Sequence, residues 1–133
     1  MTWESPYFTK EEMRCQHTGL DGMDAQFMDL LTELRGAYGK PMRVTSAYRH
    51  PTHPIEAKKT KKYGTGKAGS HSTGRAVDIA VERGDAWELL NLALAMGFTG
   101  IGVNQKGDGR FIHLDNIKPD EFDRFLRPTV WSY

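Results

Sequence analysis

The chain has little cysteine, no long apolar run and almost no net charge, and each shortage removes a class of protein. A single cysteine, Cys15, among 133 residues rules out an intramolecular disulfide and suits synthesis in the cytoplasm. No apolar stretch approaches the roughly 20 residues that a membrane helix needs, so no membrane insertion is expected. The opening Met-Thr-Trp-Glu-Ser-Pro lacks the basic-then-apolar pattern of a secretory leader, so any export is expected to use another route. A formal net charge of +1 argues against a dedicated nucleic-acid binder. No His-Glu-x-x-His segment occurs, which excludes the commonest zinc-protease signature. Internal repeats and linker-like stretches are also missing.

What remains has the balance of a packed domain. Hydrophobic residues make up 38% and charged residues 26%, so a globular fold with a real core is expected, as one domain over 1–133 and as a monomer. Thr9 with Glu12 fits a capping box opening a short helix near 10–14. Asp24 caps a second helix near 24–37, where Phe27, Met28, Leu30, Leu31, Leu34, Ala37 and Tyr38 form an apolar stripe that Gly39 and Pro41 end. Met42–Ala47 reads as a strand. Residues 56–69, with Lys58, Lys59, Lys61, Lys62 and Lys67 among Gly64, Gly66 and Gly69, read as a flexible basic loop. A strand follows over 76–81. Asp85 with Glu88 should cap a largely buried helix near 86–96. Strands over 98–103 and 110–115 should form a hairpin through Gly107 and Gly109. Pro119 should start a last helix over 120–126, with Leu126, Val130, Trp131 and Tyr133 covering a core edge. The sum is an α+β fold with a small, mostly antiparallel sheet and helices packed against it.

The chemistry concentrates in Ser70-His71-Ser72-Thr73-Gly74-Arg75-Ala76-Val77-Asp78. Strand side chains alternate faces, so Asp78 shares its face with the small Ala76 and Ala80, which leave room for a ligand. An ionised carboxylate there needs a cation or several donors. His71 lies earlier, with Gly74 between to let the chain turn. On the second strand His113 shares a face with Phe111 and Asp115, and pairing with 76–81 would bring it to Asp78. Two histidines and one carboxylate leave a fourth zinc position for water, the catalytic rather than the structural arrangement. The same three residues can also form an ordinary hydrogen-bonded cluster. Cys15-x-His17, His50 and His53 could ligate metal, but read better as a packed thiol and surface imidazoles. Arg49, at a strand end, can grip a carboxylate bidentately or make an ordinary ion pair.

Three blocks carry a resemblance: Ser46-x-Tyr48-Arg49, then Ser70-His71-x-x-Gly74-x-Ala76-x-Asp78, then Phe111-Ile112-His113. Together they resemble the zinc D-alanyl-D-alanine carboxypeptidase family, which includes the L-alanyl-D-glutamate endopeptidases of phage endolysins. Phe8-Thr9-x-x-Glu12 and Leu34-Arg35-x-x-Tyr38-Gly39-Lys40-Pro41 resemble its short, single-domain branch. The likeness spans about 7–117 and extends to the zinc fold of the Hedgehog signalling domain. It implies zinc held by His71, Asp78 and His113, with Arg49 acting on the scissile amide and Ser70 and Tyr48 contacting substrate. The substrate it implies is the peptidoglycan stem peptide, reached from the cytoplasm by a separate pathway. One position departs from the pattern. The general base, an acid or histidine in the family, sits three residues before the last zinc histidine, and here that residue is Arg110, which cannot accept a proton. Asp115 is the expected substitute and Asp108 the second choice, unless Asp115 instead orients a ligand. The departure also raises an alternative, a non-catalytic zinc module that binds wall or a protein partner. A lytic role favours cutting L-Ala-D-Glu over trimming D-Ala-D-Ala.

Overall fold

A computed structural model of the chain describes residues 2–64 and 68–133. Its frame is a five-stranded sheet. The strands are β1 (Arg43–Ser46), β2 (Ala76–Ala80), β3 (Gly100–Asn104), β4 (Phe111–Asp115) and β5 (Thr129–Ser132), in the order β1-β2-β4-β3-β5. The first four strands pair antiparallel, and β5 joins β3 in parallel. The fold is therefore the expected α+β arrangement with a mostly antiparallel sheet. The helices are α1 (Lys10–Met13), α2 (Ala25–Tyr38), α3 (Pro54–Tyr63) and α4 (Arg83–Ala95).

Alternation divides the sheet into two chemical faces. Val77, Ile79, Ile101, Ile112 and Leu114 point to one side and are buried. There they meet Phe27, Met28, Leu31 and Leu34 of α2 and Leu89 and Ala93 of α4. The other face carries one row across all five strands, Ser46, Asp78, His113, Gly102 and Trp131 in direct register. Packing on one face thus fixes the polar row on the other, because a slip of one residue would reverse both.

Local signals explain most elements. Thr9 and Glu12 form the reciprocal capping box of α1. The Asp24 side chain accepts from the Phe27 N–H at 2.9 Å to open α2, and Gly39 closes it in the left-handed region at φ 72°.

Four expectations are corrected. The supposed basic loop is largely helix α3, with His53 capping and Pro54 in the first turn. Lysine is a good helix former, and proline at the start of a helix loses no bond. The part of that expectation falling on 65–67, including Gly66 and Lys67, lies outside the described residues. Helix α4 begins at Arg83, upstream of the expected cap and with no side-chain cap, so that Asp85 falls inside its first turn; Asp85 and Glu88 both hold Lys40, each at 2.7 Å. It is also less buried than expected. Ala86, Leu89 and Ala93 face the core, whereas Trp87 is 72% and Leu94 59% exposed. No helix forms over 120–126, where Asp120 takes φ 62° and the chain makes turns. Finally, 129–132 is a strand rather than a loose cover, and Leu126 and Val130 are exposed.

Gly74 connects the ligand-bearing turn to the core. It has φ 76°, its carbonyl accepts the Asp24 N–H at 2.9 Å, and a Cβ there would overlap the Gly22 carbonyl oxygen. Gly107 has a similar φ of 63° with nothing near its missing side chain. Gly107→Ala should therefore cost about 1 kcal/mol from backbone strain alone. Gly74→Ala should cost about 3 kcal/mol or more, since the clash adds to the strain. Urea unfolding of the two variants checks this, and equal costs would contradict the assigned contact.

Candidate metal centre

The turn Ser70–Thr73 lifts His71 over the polar row, and the register sets Asp78 opposite His113. His71 and His113 are 4% and 2% exposed. Their rings lie edge to face at 5.1 Å. His71 Nε2 lies 3.3 Å and His113 Nδ1 3.1 Å from Asp78 Oδ1. The outer nitrogen of each ring has its own acceptor. His71 Nδ1 is 2.8 Å from the Ala47 carbonyl oxygen, and His113 Nε2 is 2.8 Å from Asp115 Oδ2. Each outer nitrogen therefore donates, which leaves His71 Nε2 and His113 Nδ1 facing Asp78 as the positions that take up either a proton or a metal.

Three acceptors this close repel unless a proton or a cation lies among them. A tetrahedral ion with bonds of about 2.0–2.2 Å separates its donors by about 3.3–3.6 Å, close to the 3.3 and 3.1 Å between Asp78 Oδ1 and the two ring nitrogens. The residues present therefore fit a zinc ion. They are the only group of three or more His, Cys, Asp or Glu among the described residues whose donor atoms converge, all within 4.8 Å. Cys15 is buried and its sulfur accepts the His50 N–H at 3.3 Å. His17 and His53 meet ring edge to face at 5.9 Å. Neither pair builds a metal site.

The electrostatics agree. Burial holds the His71 imidazole below the usual histidine range despite its bond to Asp78, so it is neutral at pH 7. Burial acts to raise the Asp78 carboxyl, but the two imidazoles beside it, His113 first, outweigh that effect and leave the group ionised. For His113 burial opposes the charged form, yet Asp115 and Asp78 prevail and push it up. A metal entering the site therefore competes with a proton.

Asp115 stands elsewhere than expected. It is fully buried and does not line the cleft above the three residues. Its two oxygens take Arg127 Nε at 2.8 Å and Nη2 at 2.7 Å, besides His113 Nε2. A carboxylate so enclosed has no free lone pair facing a substrate. Asp115 thus stands behind His113, where the alternative of a group that orients this ring places it, and away from the cleft that a general base would face. Asp108 is exposed in its turn and Arg110 Nε donates to the Gly107 carbonyl oxygen at 2.9 Å, both outside the cleft lining. Among the described lining residues, Asp78 is the only carboxylate.

The cleft has a volume of about 880 Å³. Ser70 and Arg49 line it. Tyr48 does not. Its ring packs where a Cβ at Gly22 would be, and its N–H donates to the Met13 carbonyl oxygen at 3.3 Å. Sequence reasoning also missed Arg127 and two further supporting residues. Glu56, fully buried, accepts the Gly69 N–H at 2.7 Å and Arg49 Nη1 at 3.0 Å. It thereby fixes Arg49, whose Nη2 lies 3.6 Å from Asp78 Oδ2. Trp131 lies 5.0 Å from the His113 ring, ring centre to ring centre, over the space that Gly102 leaves. A basic helix with one glutamate gives a signal for Glu56 only once its long-range partners are known.

A family model described as Peptidase M15 matches residues 6–115. No curated protein and no solved structure matches the chain. The chain belongs to the peptidase M15 family, and membership implies a zinc-dependent metallopeptidase acting on a peptide substrate.

Asp115→Asn should weaken zinc binding about 10- to 100-fold, measured by competition with a chelating dye. Unchanged zinc affinity with lost hydrolysis would return Asp115 to the role of base.

Proposed function

We propose that this M15 peptidase hydrolyses an amide bond of the peptidoglycan stem peptide, cutting L-Ala-D-Glu rather than trimming D-Ala-D-Ala, as a phage or prophage endolysin does. The observation that carries the reading is the convergence of His71 Nε2, Asp78 Oδ1 and His113 Nδ1 at the floor of a cleft, inside the span of the family match. These three residues would hold zinc, which in such a site acts as a Lewis acid toward a carbonyl and acidifies water.

The protein's own groups have distinct tasks in this scheme. Asp115 and the Ala47 carbonyl keep the two imidazoles in the tautomers that present lone pairs inward. Arg49, braced by Ser46 Oγ at 2.9 Å and by Glu56, presents a fixed positive charge beside Asp78. There it would hydrogen-bond the carbonyl oxygen as negative charge develops. Ser70 would contact the peptide. Phe111, Phe125 and Trp131 give the cleft apolar walls that exclude water from the reacting amide. Synthesis in the cytoplasm, action on the wall through a separate pathway and a monomeric state complete the proposal.

A second reading rests on two observations. Arg110 occupies the family's base position and no second carboxylate lines the described cleft. A zinc module that binds wall or a protein partner without hydrolysis would show that pattern.

Purified peptidoglycan treated with zinc-loaded, zinc-free and His113→Ala protein separates the readings by mass spectrometry of the fragments. New amino termini at D-Glu that require zinc and His113 are expected. Release of terminal D-Ala alone would make the protein a carboxypeptidase. Intact stem peptides after treatment with folded, zinc-loaded protein would favour the non-catalytic module.

A further inference from the structure

Three arginines line the cleft, Arg49, Arg124 and Arg127, and their hydrogen bonds set one apart. Arg127 spends its fork on Asp115 at 2.7–2.8 Å. Arg49 is committed to Ser46 and Glu56 and lies beside Asp78. Arg124 is anchored without being consumed. Its Nε donates to the Ala68 carbonyl oxygen at 2.9 Å, on the segment that leads to His71. Its guanidinium carbon lies 4.6 Å from the Phe125 ring centre and 5.1 Å from that of Phe122. Among the described residues, no carboxylate pairs with it, and its two terminal nitrogens carry no hydrogen bond. Arg124 also lies beyond residues 6–115, the span of the family match.

We propose that Arg124 is a specificity-determining residue that binds a carboxylate of the peptide substrate through its two terminal nitrogens. A guanidinium fork matches a carboxylate in shape as well as charge. The anchor at Ala68 and the aromatic contacts hold its plane in advance, so little rotamer freedom remains to be lost on binding. Aromatic walls lower the local polarity and strengthen the pair relative to open water. Lys59, on the same cleft, adds positive charge but is already 3.3 Å from Glu56. The inference rests on the peptide-hydrolase reading and names the substrate feature that the site selects. That carboxylate is either the free one of the D-Glu residue or the one at the peptide's carboxyl terminus.

The test uses zinc-loaded protein and the synthetic pentapeptide L-Ala-γ-D-Glu-L-Lys-D-Ala-D-Ala. Two companions are needed, one amidated at the D-Glu α-carboxylate and one at the carboxyl terminus. The readout is the preference for the free over the amidated peptide. It is taken from kcat/KM where the peptide is cut and from Kd where it is bound intact, so failure of hydrolysis is distinguishable from failure of this inference. Wild type should prefer the free form of one carboxylate by roughly tenfold or more, the size of a charge-assisted pair. The amidation that removes the preference identifies which carboxylate is read. Arg124→Gln should bring the ratio close to one. Arg124→Lys, which keeps the charge but not the fork, should retain only part of the preference. Unaltered melting temperature and zinc content would show that the variants are folded. Wild type indifferent to both amidations, or Arg124→Gln with the preference intact, would overturn the proposal.

Discussion

An ionised carboxylate on a buried strand costs several kcal/mol unless its surroundings repay it, and the structure is built around repaying that cost at Asp78. Its Oδ1 meets both imidazoles, and its Oδ2 faces Arg49. None of these partners is local. His71 is delivered by a turn that Gly74 permits, His113 by the pairing of β2 with β4, and Arg49 by the end of β1. The apolar face of the sheet therefore does chemical work at a distance, because the packing of Ile79 and Ile112 into the core holds their neighbours Asp78 and His113 in register.

Around these residues lies a further layer of charges that holds them in place. Arg127 and Asp115 stand behind His113, and Glu56 stands behind Arg49 and the Gly69 backbone. Both carboxylates are fully buried, and both are held ionised by their partners against the effect of burial. Removing either partner would leave a charge stranded in the interior, which is why such pairs fix geometry even where they add little net stability. Part of this layer comes from outside the span shared with the family. Arg127 and Trp131 belong to the segment that ends in β5, which lies against Gly102 of β3.

What could be read from the sequence was what depends on short range. Strand alternation placed Asp78 beside two alanines and His113 on a face that would match it if the two strands paired, and the glycine-rich turn implied the hairpin of β3 with β4. Capping residues located α1 and α2. What failed depended on partners far along the chain. Asp115 shares a face with His113, as alternation requires. Its direction is set by Gly100, where a Cβ would overlap the carboxylate, and by the arrival of Arg127. The result is a direct bond to His113 rather than a water bridge toward the cleft. Helix α3 was hidden because closely spaced lysines and bracketing prolines resemble a loop, although Pro54 sits where a helix begins. The last strand has four residues and gains its identity only from the edge of β3.

In the metal-bound protein His71 and His113 would present opposite ring nitrogens to the shared ion. Nitrogen-15 NMR of the histidine rings, recorded before and after one equivalent of zinc, tests it most directly. Metal is expected on Nε2 of His71 with the proton on Nδ1, and on Nδ1 of His113 with the proton on Nε2. Zinc that leaves both rings unchanged while shifting His17, His50 or His53 would contradict it.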